Sequence, residues 1–62
     1  MKREQIINTI KNLAKSQGFY SRLYRAIEDA KENNPDAYED FMTELEAQNF
    51  SDSVDLVLYL EC

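Results

Sequence analysis

Apolar residues recur at helical spacing through most of the chain. Ile6, Ile10 and Leu13 are separated by three or four residues, with mostly polar residues between them. This spacing is typical of an amphipathic helix, so we predict a first helix over residues 2–16. A second apolar stripe predicts a helix over residues 19–33, and it consists of Tyr20, Leu23, Tyr24, Ile27 and Ala30.

Glycine, asparagine and proline mark the predicted boundaries of these helices. Gly18 lies where the first helix would end, and glycine accepts a left-handed backbone at no steric cost. Asn34 suits the cap of a third helix and Pro35 suits its first position. We therefore predict a third helix over residues 35–48, with an apolar face formed by Tyr38, Phe41, Met42 and Leu45.

The C-terminal apolar run allows two interpretations. Residues 56–60, LVLYL, have no polar face, and so short a run fits either a buried helix or a β-strand. Ser51 or Asp52 can cap a helix here, and Asp55 follows Asp52 at capping-box spacing. Because no second strand is visible to pair with a strand, we favour a short helix that docks into a groove formed by the other three.

Together these elements predict an all-α fold, a compact bundle of three main helices plus a short apolar C-terminal helix. The short connections suit tightly packed helices. Sixty-two residues leave room for a single helical domain over residues 1–62. Its predicted core consists of Ile6, Ile10, Leu13, Leu23, Ile27, Phe41, Leu45, Val54, Val57 and Leu58.

The composition argues against catalysis and against metal or cofactor binding. The chain has no histidine, one glycine and one cysteine, Cys62. Histidine catalysis, a Cys/His zinc site and a Gly-rich phosphate loop therefore all lack their residues. Carboxylates are plentiful, but so small a bundle rarely has a cleft that separates their pKa values. We expect no catalytic residues, no metal site and no cofactor.

Cysteine content and hydropathy also indicate a compartment. A single cysteine cannot form an internal disulfide, which suits a reducing, cytoplasmic location with a free thiol at Cys62. No apolar run approaches the roughly 20 residues that span a bilayer, so we expect no membrane partner.

The net charge of −5 conceals two oppositely charged halves. Residues 1–27 carry six basic side chains and one acidic one, whereas residues 28–62 carry one basic side chain and eleven acidic ones. Such a split can reflect a charged partner, head-to-tail self-attraction, or two halves that attract each other within the fold. A dense acidic face can also imitate a nucleic-acid backbone, so an acidic mimic inhibitor is one alternative function. Solvated surface acids explain the same residues more simply.

Residues 10–27 resemble a helix-turn-helix. Ala14 lies four residues before Gly18, which would make the turn, and the core positions of the motif hold Leu13, Tyr24 and Ile27. The resemblance implies a DNA-binding protein whose second helix enters the major groove. The implied contacts are Tyr20, Ser21, Arg22 and Arg25 near the bases, and Lys11 and Lys15 at phosphates.

An ordinary helical corner is the competing interpretation of this segment. Gln17 is polar where the motif prefers an apolar residue, and the acidic half of the chain would be repelled by phosphate. We favour the helical corner.

Seven aromatic residues are many for a core of this size. Some must be partly exposed, and tyrosine beside arginine is the composition of an interface hot spot. We therefore expect a protein–protein interaction or accessory module, able to self-associate if its C-terminal helix is incompletely covered. The candidate partner-binding residues are Tyr20, Arg22, Tyr24 and Arg25. Packing of these tyrosines in the core or at its rim stays open as the alternative.

The stretches NLAKSQGFYSRL and LEAQNFSDSVDLVLYLE resemble short uncharacterised helical proteins carried on mobile elements of gut Gram-positive bacteria. The resemblance implies a cytoplasmic accessory role in a bacterium. It assigns no functional residue, and it favours both the DNA-binding and the inhibitor alternatives.

Overall fold

Four helices make up the regular structure of this chain, in a computed structural model that describes residues 1–61. They are α1 (Arg3–Ala14), α2 (Gly18–Asn33), α3 (Pro35–Ala47) and α4 (Ser53–Glu61). No strand occurs among the described residues, so the all-helical prediction is confirmed and the C-terminal run is a helix. None of these helices has the length and apolar character needed to cross a membrane. The free thiol expected at Cys62 lies outside the described residues.

The corner between α1 and α2 is built without a left-handed residue. The amides of Ser16 and Gln17 donate to the carbonyl oxygen of Leu13, at 3.1 and 3.0 Å, and thereby close the end of α1. Gln17 is extended, and Gly18 begins α2 without a positive φ. The prediction that Gly18 ends α1 in the left-handed conformation is therefore wrong.

A left-handed residue follows α3 instead. Asn49 has a φ of 53° and lies two residues beyond Ala47, where α3 ends. Asparagine tolerates this conformation better than most residues because its short polar side chain bonds locally. The chain turns here toward α4.

The starts of α3 and α4 follow the predicted capping chemistry. Oδ1 of Asn34 accepts a hydrogen bond from the Ala37 amide at 3.4 Å, and Oδ1 of Asp52 accepts one from the Asp55 amide at 3.1 Å. The Asp55 carboxylate in turn accepts from the amide and the hydroxyl of Ser51. These bonds satisfy amide groups that a helix start leaves without a partner.

The core draws a buried residue from every helix. Tyr20 of α2 is buried as well. The loop before α4 contributes Phe50 to a continuous cluster of buried apolar side chains. Leu13, Leu23, Phe41 and Val57, which were predicted for the core, are only partly buried. The buried cluster consists of Ile6, Ile10, Ile27, Tyr38, Met42, Leu45, Phe50 and Leu56.

α4 turns a single apolar residue fully inward. Leu56 is fully buried, whereas Val54 and Leu58 are 62% and 60% exposed. Two residues along a helix correspond to a rotation of about 200°, so the neighbours of Leu56 at that spacing point away from the core. The assignment of Val54 and Leu58 to the core was therefore wrong. Self-association through this exposed face stays a prediction.

One arginine joins the basic and acidic halves of the chain. Arg3, in the first turn of α1, pairs through Nη1 with Oε1 of Glu39 at 2.9 Å and through Nε with Oε1 of Glu46 at 2.5 Å. Its guanidinium carbon also lies 6.0 Å from the centroid of the Tyr38 ring. Among the described residues, these ion pairs make the basic and acidic halves of the chain attract each other within the fold.

Candidate interaction groove

Tyr20 does not lie on an exposed surface as predicted. It is 1% exposed, and its hydroxyl donates to Oε1 of Glu61 at 2.9 Å. Its ring meets that of Phe19 edge to face, with centroids 5.1 Å apart. Tyr20 and Ile27 are seven residues apart, so the same face of α2 turns both side chains into the core. Tyr20 is therefore a packing residue and is not available to a partner.

The other predicted contact residues differ in their exposure. Arg22 and Arg25 are exposed, whereas Tyr24 is half-buried against the core. Burial, followed by the nearby Glu28 carboxylate, raises the pKa of Tyr24. Helical spacing turns Tyr24 and Glu28 to one side of α2 and Arg22 to the other. A partner-binding role for Arg22, Tyr24 and Arg25 stays a prediction.

Lys11 and Lys15, the predicted phosphate contacts, are exposed near the end of α1. Two expectations of the helix-turn-helix interpretation are not met, however. Gly18 does not form a left-handed turn, and Tyr20 points inward rather than toward a ligand. DNA contact by these lysines stays a prediction, as does action as an acidic mimic inhibitor.

An apolar groove that the sequence pattern did not predict lies between α2 and α3. It encloses about 240 Å³ and is open to solvent on one side. The hydroxyl of Tyr38 is the single polar side-chain atom among its lining residues. The lining consists of Leu23, Ala26, Ile27 and Ala30 from α2, and of Ala37, Tyr38 and Phe41 from α3.

Small side chains keep this groove open. Ala26, Ala30 and Ala37 each contribute one methyl group, which cannot fill the space between two helices. Ile27 and Tyr38 are buried, whereas Leu23 and Phe41 are half-buried. The groove therefore presents apolar surface to solvent.

Charged side chains border the groove. Residues three or four positions apart are neighbours on a helix surface, and this spacing from the lining residues identifies five exposed charged side chains. Three are acidic and two are basic, and both of those on α3 are acidic. They are Arg22, Asp29 and Lys31 on α2, and Asp40 and Glu44 on α3.

Comparison of the chain with protein-family models, with curated proteins and with solved structures finds no match. The two resemblances stated from the sequence therefore stay predictions. Within residues 1–61, no three His, Cys, Asp or Glu side chains are grouped so that they could hold a metal ion.

The sequence did contain one indication of the groove. Ala26 and Ala30 are four residues apart on α2, and Ala37 follows the Asn34–Pro35 corner. Small residues at this spacing allow another chain to approach closely, but core residues and solvent-facing residues can show the same pattern.

Proposed function

We propose that this chain is a small cytoplasmic protein–protein interaction module without catalytic activity, and that its α2–α3 groove binds a segment of another protein. The observation that supports the proposal is the groove itself, an apolar depression that stays open to solvent. A domain of this size has a small hydrophobic core, yet the apolar surface of this groove is not packed into it. Apolar surface left open to water gains nothing for the stability of a small domain, and the apolar side chains of a partner would cover it. The single cysteine supports a reducing compartment.

The size and chemistry of the groove favour a protein segment over a small molecule. Pockets for small molecules enclose roughly 300–1,000 Å³ and converge a few polar groups on the ligand. This groove encloses about 240 Å³ and has one tyrosine hydroxyl among its side chains. It matches the space needed by a few apolar anchor side chains, which carry most of the energy of a typical protein interface.

A groove-filling substitution tests this function. Ala26→Phe would place a phenyl ring in the groove from an exposed helical position. Ala47→Phe, the same substitution at the exposed end of α3 and away from the lining, is the matched control. Peptides selected from a random display library on the wild-type protein should bind Ala47→Phe equally well. They should bind Ala26→Phe about tenfold more weakly or worse, a loss of about 1.4 kcal/mol.

Failure of this selection would contradict the proposed function. If selection yields no peptide that distinguishes the wild type from Ala26→Phe, the groove does not bind protein segments and the proposed function is wrong. Thermal melts of both variants establish that each is folded before the comparison is made.

A further inference from the structure

We propose that the occupant of the groove is a basic amphipathic helix. Its apolar face would enter the groove, and its flanking lysine or arginine side chains would meet Asp29, Asp40 and Glu44 at the border. This inference rests on the proposed function, because it names the class of partner that the same groove binds.

The acidic residues of α3 divide into two groups. Glu39 and Glu46 lie on the side of α3 that faces α1, where Arg3 pairs with both and offsets one of their two negative charges. Asp40 and Glu44 border the groove, and neither makes an ion pair or a side-chain hydrogen bond within the described part of the chain. The fold thus pairs the carboxylates that face α1 and leaves those at the groove open to a cation from outside.

The apolar lining strengthens the effect of these charges. Asp29, on the α2 border, accepts a hydrogen bond from Nδ2 of Asn33 at 2.9 Å, which holds its carboxylate in place without neutralising it. Low-dielectric surroundings strengthen the field of nearby charges, and both border charges on α3 are negative. A segment whose apolar side chains are flanked by positive charge gains binding energy from the apolar lining and from the border carboxylates. An acidic segment is repelled by those carboxylates.

The secondary structure of the site favours a helical occupant over a β-strand that pairs with the protein. A peptide that binds as a strand needs an open sheet edge, and no strand occurs among residues 1–61. A helix satisfies its own backbone hydrogen bonds and needs only apolar surface from its partner. The methyl groups of Ala26, Ala30 and Ala37 permit close approach of such a helix along the groove.

Arg22 provides a test of the sign of the charge effect. It is one of two bases at the border, the other being Lys31, and it lies four residues before Ala26 on the same helix. Removal of Arg22 should not weaken the binding of a basic helix, and should strengthen it if the side chain is close to the bound cations. A surface that worked through its arginines would show the opposite result.

The experiment uses three synthetic helices of about 18 residues, a length that supports helix formation. All three carry the same leucine stripe, with lysine, glutamine or glutamate on its flanks, and fluorescence anisotropy measures their affinity for the full chain. The lysine helix should bind most tightly and the glutamate helix most weakly. The difference should shrink between about 50 mM and about 500 mM NaCl, because salt screens exposed charges.

Border variants assign the preference to particular side chains. Asp40→Asn and Glu44→Gln should each weaken binding of the lysine helix about two- to fivefold, the usual range for an exposed ion pair. Glu32→Gln is the matched control, since Glu32 is an exposed acid on the side of α2 away from the lining. Glu32→Gln should leave the affinity unchanged, and Ala26→Phe should abolish binding.

Different failures have different meanings. If the three helices bind equally and Ala26→Phe blocks all of them, the groove function stands and the basic partner is wrong. If the lysine helix binds Ala26→Phe as well as it binds Ala47→Phe, its attraction is not to the groove and the inference is again wrong. If no helix binds and the display selection also yields no groove ligand, the proposed function itself is wrong.

Discussion

The hydroxyl of Tyr20 donates to Oε1 of Glu61 at 2.9 Å and joins the first turn of α2 to the last residue of α4. The bond lies at the end of a buried tyrosine side chain, while the helix it holds turns only Leu56 fully into the core. Leu56 and Glu61 therefore hold α4 by one buried apolar contact and one polar bond, beside the edge-to-face contact of Tyr59 with Phe50. The first two can be tested separately.

Tyr20→Phe removes the hydroxyl and keeps the buried ring. We expect a loss of about 1 kcal/mol in the free energy of unfolding, the usual net value of one hydrogen bond. Glu61→Gln keeps an acceptor oxygen and should cost less. Urea denaturation of the three proteins measures both effects. Equal stability of Tyr20→Phe and the wild type would show that the bond contributes nothing.

The same bond predicts a loss of stability at high pH. Burial, and then the hydrogen bond to Glu61 and its charge, raise the pKa of Tyr20 above the ordinary value of 10.0. The folded state therefore holds this proton more tightly than the unfolded state does. The resulting stability is fully present below the unfolded pKa and is lost as pH rises through the folded pKa.

Urea midpoints measured between about pH 8 and about pH 11 test this coupling. Tyr20→Phe should show a shallower decline than the wild type. Some decline should remain, because the pKa of Tyr24 is raised as well. Parallel curves for the two proteins would contradict the assignment to Tyr20.

Gly18→Ala should stabilise the protein. Gly18 is helical, has no positive φ, and would bring an added Cβ within 4 Å of nothing. Replacing glycine by alanine at such a position reduces the freedom of the unfolded chain, which is worth about 0.4–1 kcal/mol. A thermal melt measures the change. A lower melting temperature would mean that the corner needs glycine, as a helix-turn-helix would.

Asn49 should respond in the opposite way to alanine. Its φ of 53° lies in the left-handed region, where an ordinary side chain costs about 1–2 kcal/mol. We expect Asn49→Ala to lower stability by about 1 kcal/mol and Asn49→Gly to be neutral or stabilising. The pair of variants, compared by chemical denaturation, separates backbone conformation from loss of the side chain. Similar losses in both would implicate the asparagine side chain instead.

Alanine substitutions in α4 test which face of the helix points into the core. Leu56→Ala should cost about 2–5 kcal/mol because the leucine is fully buried. Leu58→Ala, two residues away and exposed, should change stability by less than about 0.5 kcal/mol. Denaturation midpoints give both values. Similar costs at the two positions would show that the exposed face is covered in solution, as self-association would require.

The sequence predicted most of what local chemistry determines. The helices and the caps at Asn34 and Asp52 follow from side chains that act on their own neighbourhood. The direction of α4 was missed because LVLYL has no polar face, so periodicity cannot distinguish Leu56 from Leu58. Tertiary packing decides that choice, and it also draws Tyr20 inward.

The candidate site was less predictable than the fold. The sequence indicated an exposed surface of tyrosine and arginine on α2, but a helix cannot expose Tyr20 while it buries Ile27 one heptad later. The groove depends on how α2 and α3 lie beside each other after Asn34. Alanines at suitable spacing indicate that space is available, but they do not show that two helices leave it open.

The pairing of Arg3 with Glu39 and Glu46 would have a kinetic consequence for the proposed partner. Because Arg3 offsets part of the charge on one flank of α3, more unpaired negative charge remains on the flank of Asp40 and Glu44. The proposed basic segment would be drawn to that flank before contact, which would accelerate encounter and make the association rate sensitive to salt. Once the segment is seated, its lifetime would depend on the methyl-lined surface, which salt screening barely affects. The molecule would thus control the speed of capture and the duration of the complex with separate sets of side chains.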